Sequence, residues 1–318
     1  MTASFTRRRA TLKSRMATAG AVAVVGALLL TGCGDQTNKA QSGSGNASKA
    51  PLFSTLPKDI QNSGVIEVGS DINYPPVEFK KGGQVMGIDP DIADALGKAL
   101  GVEFKFNNST FDALLAGLRS KRYDIAMSAM TDNKGRQEGI DPDTGKKAGK
   151  GVDFVDYFTA GVSIYTKKGK TQGIETWDDL CGKKIVVQRG TVSHDLGKAQ
   201  SKKCEKDDKG KIKIEAFAND TEAQTRLRGG GADAAASDFP VAAYAVKTSG
   251  GGNDFEITGE QVEAAPYGIA VNKDNTELRD ALKQAFAFII ANGDYDKIIA
   301  KWGVKDGAVT KAVVNGGK

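Results

Sequence analysis

The sequence predicts an α/β fold in which parallel-type sheets are covered by helices. Strand-like and helix-like segments alternate between about Leu56 and Val309, and this alternation is typical of a parallel sheet with helices on its faces. A second observation is an internal repeat in the pattern. With an offset of 109 residues, the paired positions are Leu118 and Leu227, Arg119 and Arg228, Asp124 and Asp233, and Ser128 and Ser237. The repeat indicates either two lobes of similar topology or a chance similarity between two helix-to-strand junctions.

The individual elements follow from the spacing of the apolar residues. Ile92, Leu96 and Ala99 fall on one helix face, and Asp89 followed by Pro90 is a typical helix start in which the aspartate caps the first turn. Runs rich in β-branched and aromatic residues predict strands. The predicted strands are residues 65–68, 102–106 and 123–127, and the predicted helices are residues 89–101, 111–119, 276–290 and 295–302, with a helix-like segment at 192–199.

Residues 1–32 have the three-part layout of a bacterial export signal. They carry five basic residues and no acidic residue, followed by an apolar run from Ala17 to Leu30. This run is shorter than the roughly 20 residues that a membrane-spanning helix needs. We therefore predict a signal peptide that is removed. The pair Arg8-Arg9 leaves open whether general or twin-arginine export is used.

The block Leu30-Thr31-Gly32-Cys33 resembles a lipobox, in which the cysteine is acylated and becomes the first mature residue. Residues 34–49 are polar and rich in Gly and Ser, which is typical of a flexible tether. Such a coil spans roughly 20 to 25 Å. We therefore predict that Cys33 anchors the protein by lipid to the extracytoplasmic face of the bacterial cell membrane, with a tether over residues 33–55.

The net charge of +5 originates in the predicted signal peptide. The whole chain has 44 basic and 39 acidic residues, so removal of the five basic residues within 1–32 leaves 39 of each. No basic stripe with interleaved aromatic residues follows, as a nucleic-acid partner would require. The composition therefore indicates no nucleic-acid binding, and contact with the membrane is predicted through the lipid alone.

Two cysteines, Cys181 and Cys204, remain after Cys33. An even pair in an exported protein indicates a disulfide, whereas the wide spacing and the single histidine of the chain argue against a metal site. Closing a loop of 204 − 181 = 23 residues would stabilise the fold by about 3 kcal/mol in the chain-entropy treatment. We predict that Cys181 and Cys204 are bonded to each other.

Several motifs together resemble the polar amino-acid solute-binding proteins of ABC importers, the bacterial extracellular solute-binding protein family 3. The resemblance spans nearly the whole predicted mature chain, and its specificity comes from the order and spacing of the motifs. They are Gly69-Ser70-Asp71-Ile72-Asn73-Tyr74-Pro75-Pro76-Val77-Glu78, Gly87-Ile88-Asp89-Pro90-Asp91-Ile92, Phe111-Asp112-Ala113-Leu114, residues 124–136, Val186-Val187-Gln188-Arg189-Gly190-Thr191, residues 232–238 and Tyr267-Gly268-Ile269-Ala270-Val271.

The resemblance implies a periplasmic-binding-protein-like fold with two α/β lobes, two crossing hinge strands and a ligand in the cleft. We place lobe 1 at residues 56–160 plus 265–312 and lobe 2 at residues 161–264, with hinges near 160–163 and 261–267. It also implies that the protein binds a free polar amino acid as a monomer and delivers it to ABC permease subunits.

An amino-acid carboxylate calls for a planar, permanently charged partner, because bidentate pairing with arginine is directional and short. Arg136 follows the strand that ends near Ser128, and ligands gather at the carboxyl ends of parallel strands. The resemblance implies that Arg136 is the carboxylate-binding arginine. Backbone amides of Thr191 and Val192, at a predicted helix start, would supply further donors.

An ammonium group calls for carboxylate and hydroxyl acceptors. By resemblance, Asp238 accepts from the α-amino group, with Ser128 and Thr131 contributing from the first lobe. A second interpretation of Asp238 is a helix cap, because it directly precedes Phe239-Pro240.

The ligand side chain would meet Tyr74, Phe111 and Asp71. By resemblance, Tyr74 and Phe111 sandwich the side chain and Asp71 meets its basic or amide end, and aromatic faces also attract cations. These residues favour a basic amino acid. Ala129 stands where several binders of basic ligands carry serine, so a ligand of the glutamine or glutamate type stays open.

The sequence does not predict an enzyme, a cofactor or a metal. The single histidine, His194, lies between Ser193 and Asp195, and adjacent residues rarely assemble a catalytic triad. Two alternatives remain. A dehydratase on the same fold would need an acid at the cleft, for which Glu78 is the candidate, and a ligand-sensing lipoprotein would present its ligand to a receptor kinase.

Overall fold

The computed structural model describes residues 48–318. The predicted signal peptide, the lipid-anchor Cys33 and most of the tether fall within residues 1–47 and lie outside the described residues. Within residues 48–318, no helix is both long and apolar enough to cross a membrane.

Helices and strands alternate along the chain, as predicted for an α/β protein. The helices of the described residues are α1 (Lys58–Ser63), α2 (Ile88–Leu100), α3 (Leu114–Arg119), α4 (Lys134–Glu138), α5 (Val192–Lys206), α6 (Asp220–Arg228), α7 (Phe239–Thr248), α8 (Thr276–Ala291) and α9 (Asp294–Trp302). Short 3₁₀ turns cover Phe53–Thr55, Phe111–Ala113, Trp177–Leu180, Ser249–Gly251 and Lys305–Gly307.

The strands form one large mixed sheet and one small one. They are β1 (Val65–Ser70), β2 (Asn73–Tyr74), β3 (Glu78–Lys81), β4 (Gln84–Met86), β5 (Glu103–Asn108), β6 (Ile125–Ala126), β7 (Val152–Lys167), β8 (Lys184–Gln188), β9 (Lys213–Phe217), β10 (Ala234–Asp238), β11 (Phe255–Asn272) and β12 (Val313–Val314). The large sheet has the order β5-β1-β6-β11-β7-β10-β8-β9, with β12 also paired to β7, and β2-β3-β4 form the small sheet.

The two longest strands, β7 and β11, lie at the centre of the large sheet and pair antiparallel along most of their length. β6 pairs with β11 at Ala270, whereas β10 pairs with the other end of β7 at Tyr165. Each outer half of the sheet contains parallel pairs, β1 with β5 and β6 in one half and β8 with β9 and β10 in the other. The two long strands therefore join two parallel α/β halves.

Each half of the sheet is buried on both faces. Ile125 and the adjacent Ala126 belong to different hydrophobic clusters, and so do Ala235 and Ala236 in the other half. Consecutive strand residues point to opposite faces, so helices must cover both faces. This is why the inner strands β8 and β10 are mostly apolar, whereas the edge strand β5 alternates between polar and apolar residues.

Three details of the predicted elements are corrected by the structure. Helix α2 begins at Ile88 with Gly87 in the capping position, so the predicted capping by Asp89 is wrong. Asp89 is fully buried, and its Oδ2 accepts a hydrogen bond from the amide of Ala129 at 3.2 Å. Predicted helix 111–119 divides into a 3₁₀ turn and α3, and predicted strand 123–127 shortens to β6.

The predicted disulfide is confirmed. Cys181 and Cys204 are bonded, with their Cα atoms 5.4 Å apart. Cys204 lies on α5 and is completely buried, while Cys181 ends the 3₁₀ turn Trp177–Leu180. The bond thus ties α5 to the segment that leads into β8.

Removing this bond should destabilise the fold. For the Cys181→Ala/Cys204→Ala variant, we expect the free energy of unfolding to fall by about 3 kcal/mol, because the unfolded chain regains the entropy of a 23-residue loop. Urea unfolding of the variant and the wild type measures the difference. A change below about 1 kcal/mol would contradict the loop-entropy argument.

Candidate functional site

A small cavity lies where the two halves of the large sheet face each other. Its wall contains residues that follow β6, together with residues at the carboxyl ends of β8 and β10. The lining residues are Tyr74, Phe111, Ala129, Thr131, Arg136, Gln188, Thr191, Val192 and Asp238. Eight of the ten predicted ligand-binding residues therefore line one cavity, the exceptions being Asp71 and Ser128.

Arg136 provides the positive charge of the cavity. The short helix α4 carries it, and Asn133 caps this helix by accepting a hydrogen bond from the Arg136 amide. The guanidinium donates from Nη1 to the carbonyl of Thr131 at 2.8 Å and from Nη2 to the carbonyl of Gly190 at 3.1 Å. Burial lowers the pKa of Arg136, while Asp195, Asp238 and Asp132 act in the opposite direction, and the side chain stays charged because arginine does not deprotonate in proteins.

Within residues 48–318, no carboxylate lies within ion-pair distance of the Arg136 guanidinium. Its contacts within the chain are neutral carbonyl oxygens and the ring of Phe111, whose centroid lies 5.3 Å from Cζ. Arg136 is half-buried, and a half-buried cation with neutral partners is incompletely compensated. The cavity therefore contains a ready partner for an anion.

Asp238 provides the negative charge. It ends β10, is 8% exposed, and its amide donates a hydrogen bond to the Tyr74 hydroxyl at 3.2 Å. Burial raises the pKa of Asp238 to about 6, and the Tyr267 and Tyr74 hydroxyls and Arg136 oppose this shift. Although Asp238 precedes α7, its side chain makes no capping hydrogen bond. The capping interpretation of Asp238 is therefore wrong.

The amino end of α5 closes one side of the cavity. Thr191 caps this helix, because its hydroxyl accepts from the His194 amide at 3.2 Å and donates to the Gln188 carbonyl at 2.8 Å. First-turn amides of a helix have no intrahelical acceptor, and Val192 brings them to the cavity wall. Thr191 and Val192, the predicted donors, thus lie in the wall of the cavity.

Ser128 and Asp71 are not among the residues that line the cavity. Ser128 is buried, accepts from the Asp71 amide at 3.0 Å and donates to Glu78 Oε1 at 2.7 Å. The Asp71 carboxylate accepts from Gln188 Nε2 at 2.5 Å and from Asn73 Nδ2 at 3.1 Å. Burial raises the pKa of Asp71, and the hydrogen bonds from Asn73 and Gln188 oppose the shift. Both residues support the site, but neither lines it.

Gln188 lines the cavity but is absent from the predicted site. It is the last residue of β8, and its side-chain Nε2 donates hydrogen bonds to the Asp71 carboxylate and to the carbonyl of Ala218. Its position at the carboxyl end of a parallel strand is the signal that could have identified it. Through Gln188, the second half of the molecule contacts Asp71 in the first.

Carboxylates dominate the surroundings of the cavity. Asp220 is buried beneath Ser237, and burial raises the pKa of Asp220 to about 6, with Asp71 adding to the rise. Neither Asp71 nor Asp220 is ion-paired among the described residues. Together with Asp238, these carboxylates outnumber the single guanidinium of the cavity.

The described part of the chain contains no cluster of three or more His, Cys, Asp or Glu side chains that could hold a metal ion. His194 packs at the start of α5, where its Nδ1 accepts from the Gly190 amide at 3.4 Å. Burial lowers the pKa of His194. This contact gives the histidine a local structural role.

The fold and the cavity together define a two-lobed solute-binding protein, in which charged residues from both halves meet in one enclosed space. Residues 66–305 match the bacterial extracellular solute-binding proteins, family 3. The chain belongs to this family, which confirms the predicted resemblance.

Individual relatives agree with this assignment. The chain is 32% identical over 262 residues to the arginine-binding protein ArgT of Corynebacterium glutamicum, covering 82% of this chain and 81% of that protein. An ancestral arginine-binding protein bound to arginine has 35% identity and a TM-score of 0.67, covering 75% of this chain and 98% of that one. The ancestral amino acid-binding protein AncCDT-1, a precursor of cyclohexadienyl dehydratase, has 33% identity and a TM-score of 0.66, covering 77% of this chain and 97% of that one.

Proposed function

We propose that this protein binds a free basic amino acid in the cavity and delivers it to the permease of an ABC importer. One observation carries the proposal: Arg136 and Asp238 line the same small cavity, yet no ion pair joins them. A zwitterion satisfies both groups, because its carboxylate pairs with the guanidinium fork and its ammonium pairs with the carboxylate. A neutral or singly charged solute leaves one buried charge unpaired, which is costly.

The preference for a basic side chain follows from the remaining carboxylates. Once the zwitterion neutralises Arg136 and Asp238, Asp71 and Asp220 still place negative charge beside the cavity. A cationic side chain lowers the free energy of this arrangement, whereas an acidic one raises it. Arginine-binding proteins among the relatives support the same preference.

Ligand binding and lobe closure are coupled in this proposal. We propose lobe 1 at residues 56–160 plus 265–312 and lobe 2 at residues 161–264. The hinges lie near 160–163 and 261–267, where β7 and β11 pass from one lobe to the other. Arg136 then belongs to lobe 1 and Asp238 to lobe 2. An amino acid that touches both charges has a higher affinity for the closed form than for the open one, and this difference shifts the equilibrium towards closure.

The proposal includes the cellular setting. We propose that the mature protein is a monomer, acylated at Cys33 and held at the extracytoplasmic face of the membrane, where permease subunits recognise the closed form. Membership of a family of bacterial extracellular solute-binding proteins supports this location.

The position of Glu78 argues against the dehydratase alternative. This residue is fully buried, and its Oε1 accepts from Ser128 at 2.7 Å. Glu78 does not line the cavity, so it is not placed to protonate a leaving group there.

The experiment that tests the proposal is calorimetric titration of the protein purified in mild detergent and freed of carried-over ligand by unfolding and refolding. The panel comprises the common amino acids, ornithine and citrulline. We expect tight binding of a basic amino acid. Absence of binding across the whole panel would contradict the proposal, and tighter binding of glutamine or glutamate would favour the alternative ligand class.

Replacing Asp71 with asparagine should change specificity more than it changes overall binding. We expect arginine affinity to fall about tenfold, because the negative charge of Asp71 attracts a cationic side chain in the cavity through space and asparagine carries no charge, while glutamine affinity changes little. The matched control is Asp178→Asn, at an exposed carboxylate paired with Lys203 on the protein surface. An equal loss for both ligands would argue that Asp71 acts only on the stability of the site.

A further inference from the structure

We propose that the segment Val313–Lys318 is a positioning element that holds helix α4, and with it Arg136, in its ligand-binding place. The inference rests on the proposed function, because it concerns how tightly Arg136 holds the carboxylate of the amino acid. We refer to Val313–Lys318 as the clamp segment.

The clamp segment is fixed to the central strand β7. Val313 and Val314 pair antiparallel with Asp156 and Val155. Beyond this pairing, Asn315 and Phe154 exchange two hydrogen bonds, one from the Phe154 amide to Asn315 Oδ1 at 2.8 Å and one from the Asn315 amide to the Phe154 carbonyl at 3.1 Å. The segment is therefore anchored before it reaches α4.

The end of the clamp segment, at Gly317 and Lys318, then forms hydrogen bonds with α4. The amide of Lys134, the first residue of α4, donates to the Lys318 carbonyl at 3.2 Å. Gln137, which directly follows Arg136, donates from Nε2 to the Gly317 carbonyl at 3.2 Å and to Asp132 Oδ1 at 2.7 Å. An isolated helix of five residues is unstable in water, so α4 depends on such outside contacts.

A pair of buried carboxyl groups links these contacts. Asp132 and Asp156 are 0% and 4% exposed, and burial together with the charge of Asp132 raises the pKa of Asp156 to about 7. The Gly317 amide donates to Asp132 Oδ2 at 2.8 Å, and the Gly316 amide donates to Asp156 Oδ2 at 2.9 Å. Each carboxyl group thus receives one amide from the clamp segment, which offsets their mutual repulsion.

The two glycines are required by space. A Cβ atom at Gly317 would collide with the backbone carbonyl of Asp132, and one at Gly316 would lie 2.6 Å from Asp156 Oδ2. A side chain at Gly317 must therefore push the clamp segment away from Asp132, which lies just before helix α4.

The test compares two probes that differ at the carboxylate, arginine and argininamide. In a variant that ends at Ala312, we expect arginine to bind about 10- to 100-fold more weakly, while argininamide, which lacks the carboxylate, changes by less than about threefold. Combined with Arg136→Ala, the deletion should have little further effect on arginine, because both changes remove the same interaction. An unchanged arginine affinity, or equal losses for both probes, would overturn the proposal.

A milder variant and a ligand-independent measurement guard against misfolding. Gly317→Ala should reproduce the direction of the effect, whereas Lys311→Ala, at an exposed residue just before the clamp segment, should bind arginine like the wild type. Hydrogen exchange of the ligand-free protein should show faster exchange of the α4 amides in the deletion and Gly317→Ala variants. Unchanged exchange of the α4 amides in these variants would refute the positioning role of the clamp segment. Failure of the wild type to bind any amino acid would count only against the proposed function, because the exchange measurement needs no ligand.

Discussion

Arg136→Ala should weaken the binding of a basic amino acid by about 100-fold or more. Loss of one partner of a buried, hydrogen-bonded charge pair costs about 2 to 5 kcal/mol, and each 1.4 kcal/mol is tenfold in the dissociation constant. The guanidinium is already fixed by the carbonyls of Thr131 and Gly190, so little conformational entropy is lost when a carboxylate binds. Calorimetric titration with arginine measures the effect.

The matched variants separate charge from geometry. Arg136→Lys keeps a cation but lacks the planar fork, so we expect an affinity between those of the wild type and Arg136→Ala. Arg122→Ala removes an exposed arginine from the same half of the molecule and should leave the affinity unchanged. If Arg136→Ala bound arginine within about threefold of the wild type, Arg136 would not be the carboxylate partner.

Asp238→Asn should have an effect of similar size, about 100-fold, through the other end of the ligand. The asparagine has nearly the shape of aspartate but removes the negative charge, so the ligand ammonium loses its charged partner inside a buried cavity. Asp207→Asn, at an exposed residue at the end of α5, is the control and should bind like the wild type. Retention of wild-type affinity in Asp238→Asn would place the ammonium elsewhere.

The same substitution should reduce the pH dependence of ligand binding. The pKa of Asp238 is raised to about 6, so the ligand-free site holds a proton below that pH, whereas an ammonium partner favours the ionised form. Binding therefore releases a proton below pH 6, and the dissociation constant should rise by up to tenfold for each unit of further acidification. Titrations between pH 4.5 and 8 should show this slope in the wild type and a reduced slope in Asp238→Asn.

The position of Gln188 shows where reasoning from sequence was incomplete. The strand that it ends is recognisable, and the predicted ligand contacts Thr191 and Val192, three and four residues later, line the cavity. Gln188 escaped prediction because a glutamine carries no charge that a zwitterionic ligand demands. Its role becomes visible only through its hydrogen bond to Asp71, 117 residues earlier in the chain.

Ser128 and Asp71 illustrate the opposite case. Both were predicted to touch the ligand, and neither is among the residues that line the cavity; Ser128 connects the Asp71 amide to Glu78. Strand register alone does not distinguish a side chain that faces a cavity from one that faces the protein behind it. The direction of each side chain depends on the local backbone, as in the turn after β6, where Ala129 has a φ of 47°.

The sequence by itself determined the α/β class, the disulfide and the types of charge that the cavity offers. These properties depend on local periodicity, on cysteine number and on motifs within single segments, all of which can be read along one chain. The tertiary structure alone decided which residues line the cavity, that α2 starts without Asp89 as its cap, and that the clamp segment reaches the Arg136 helix. Each of these depends on contacts between distant segments, and such contacts are selected by packing and burial of the whole chain.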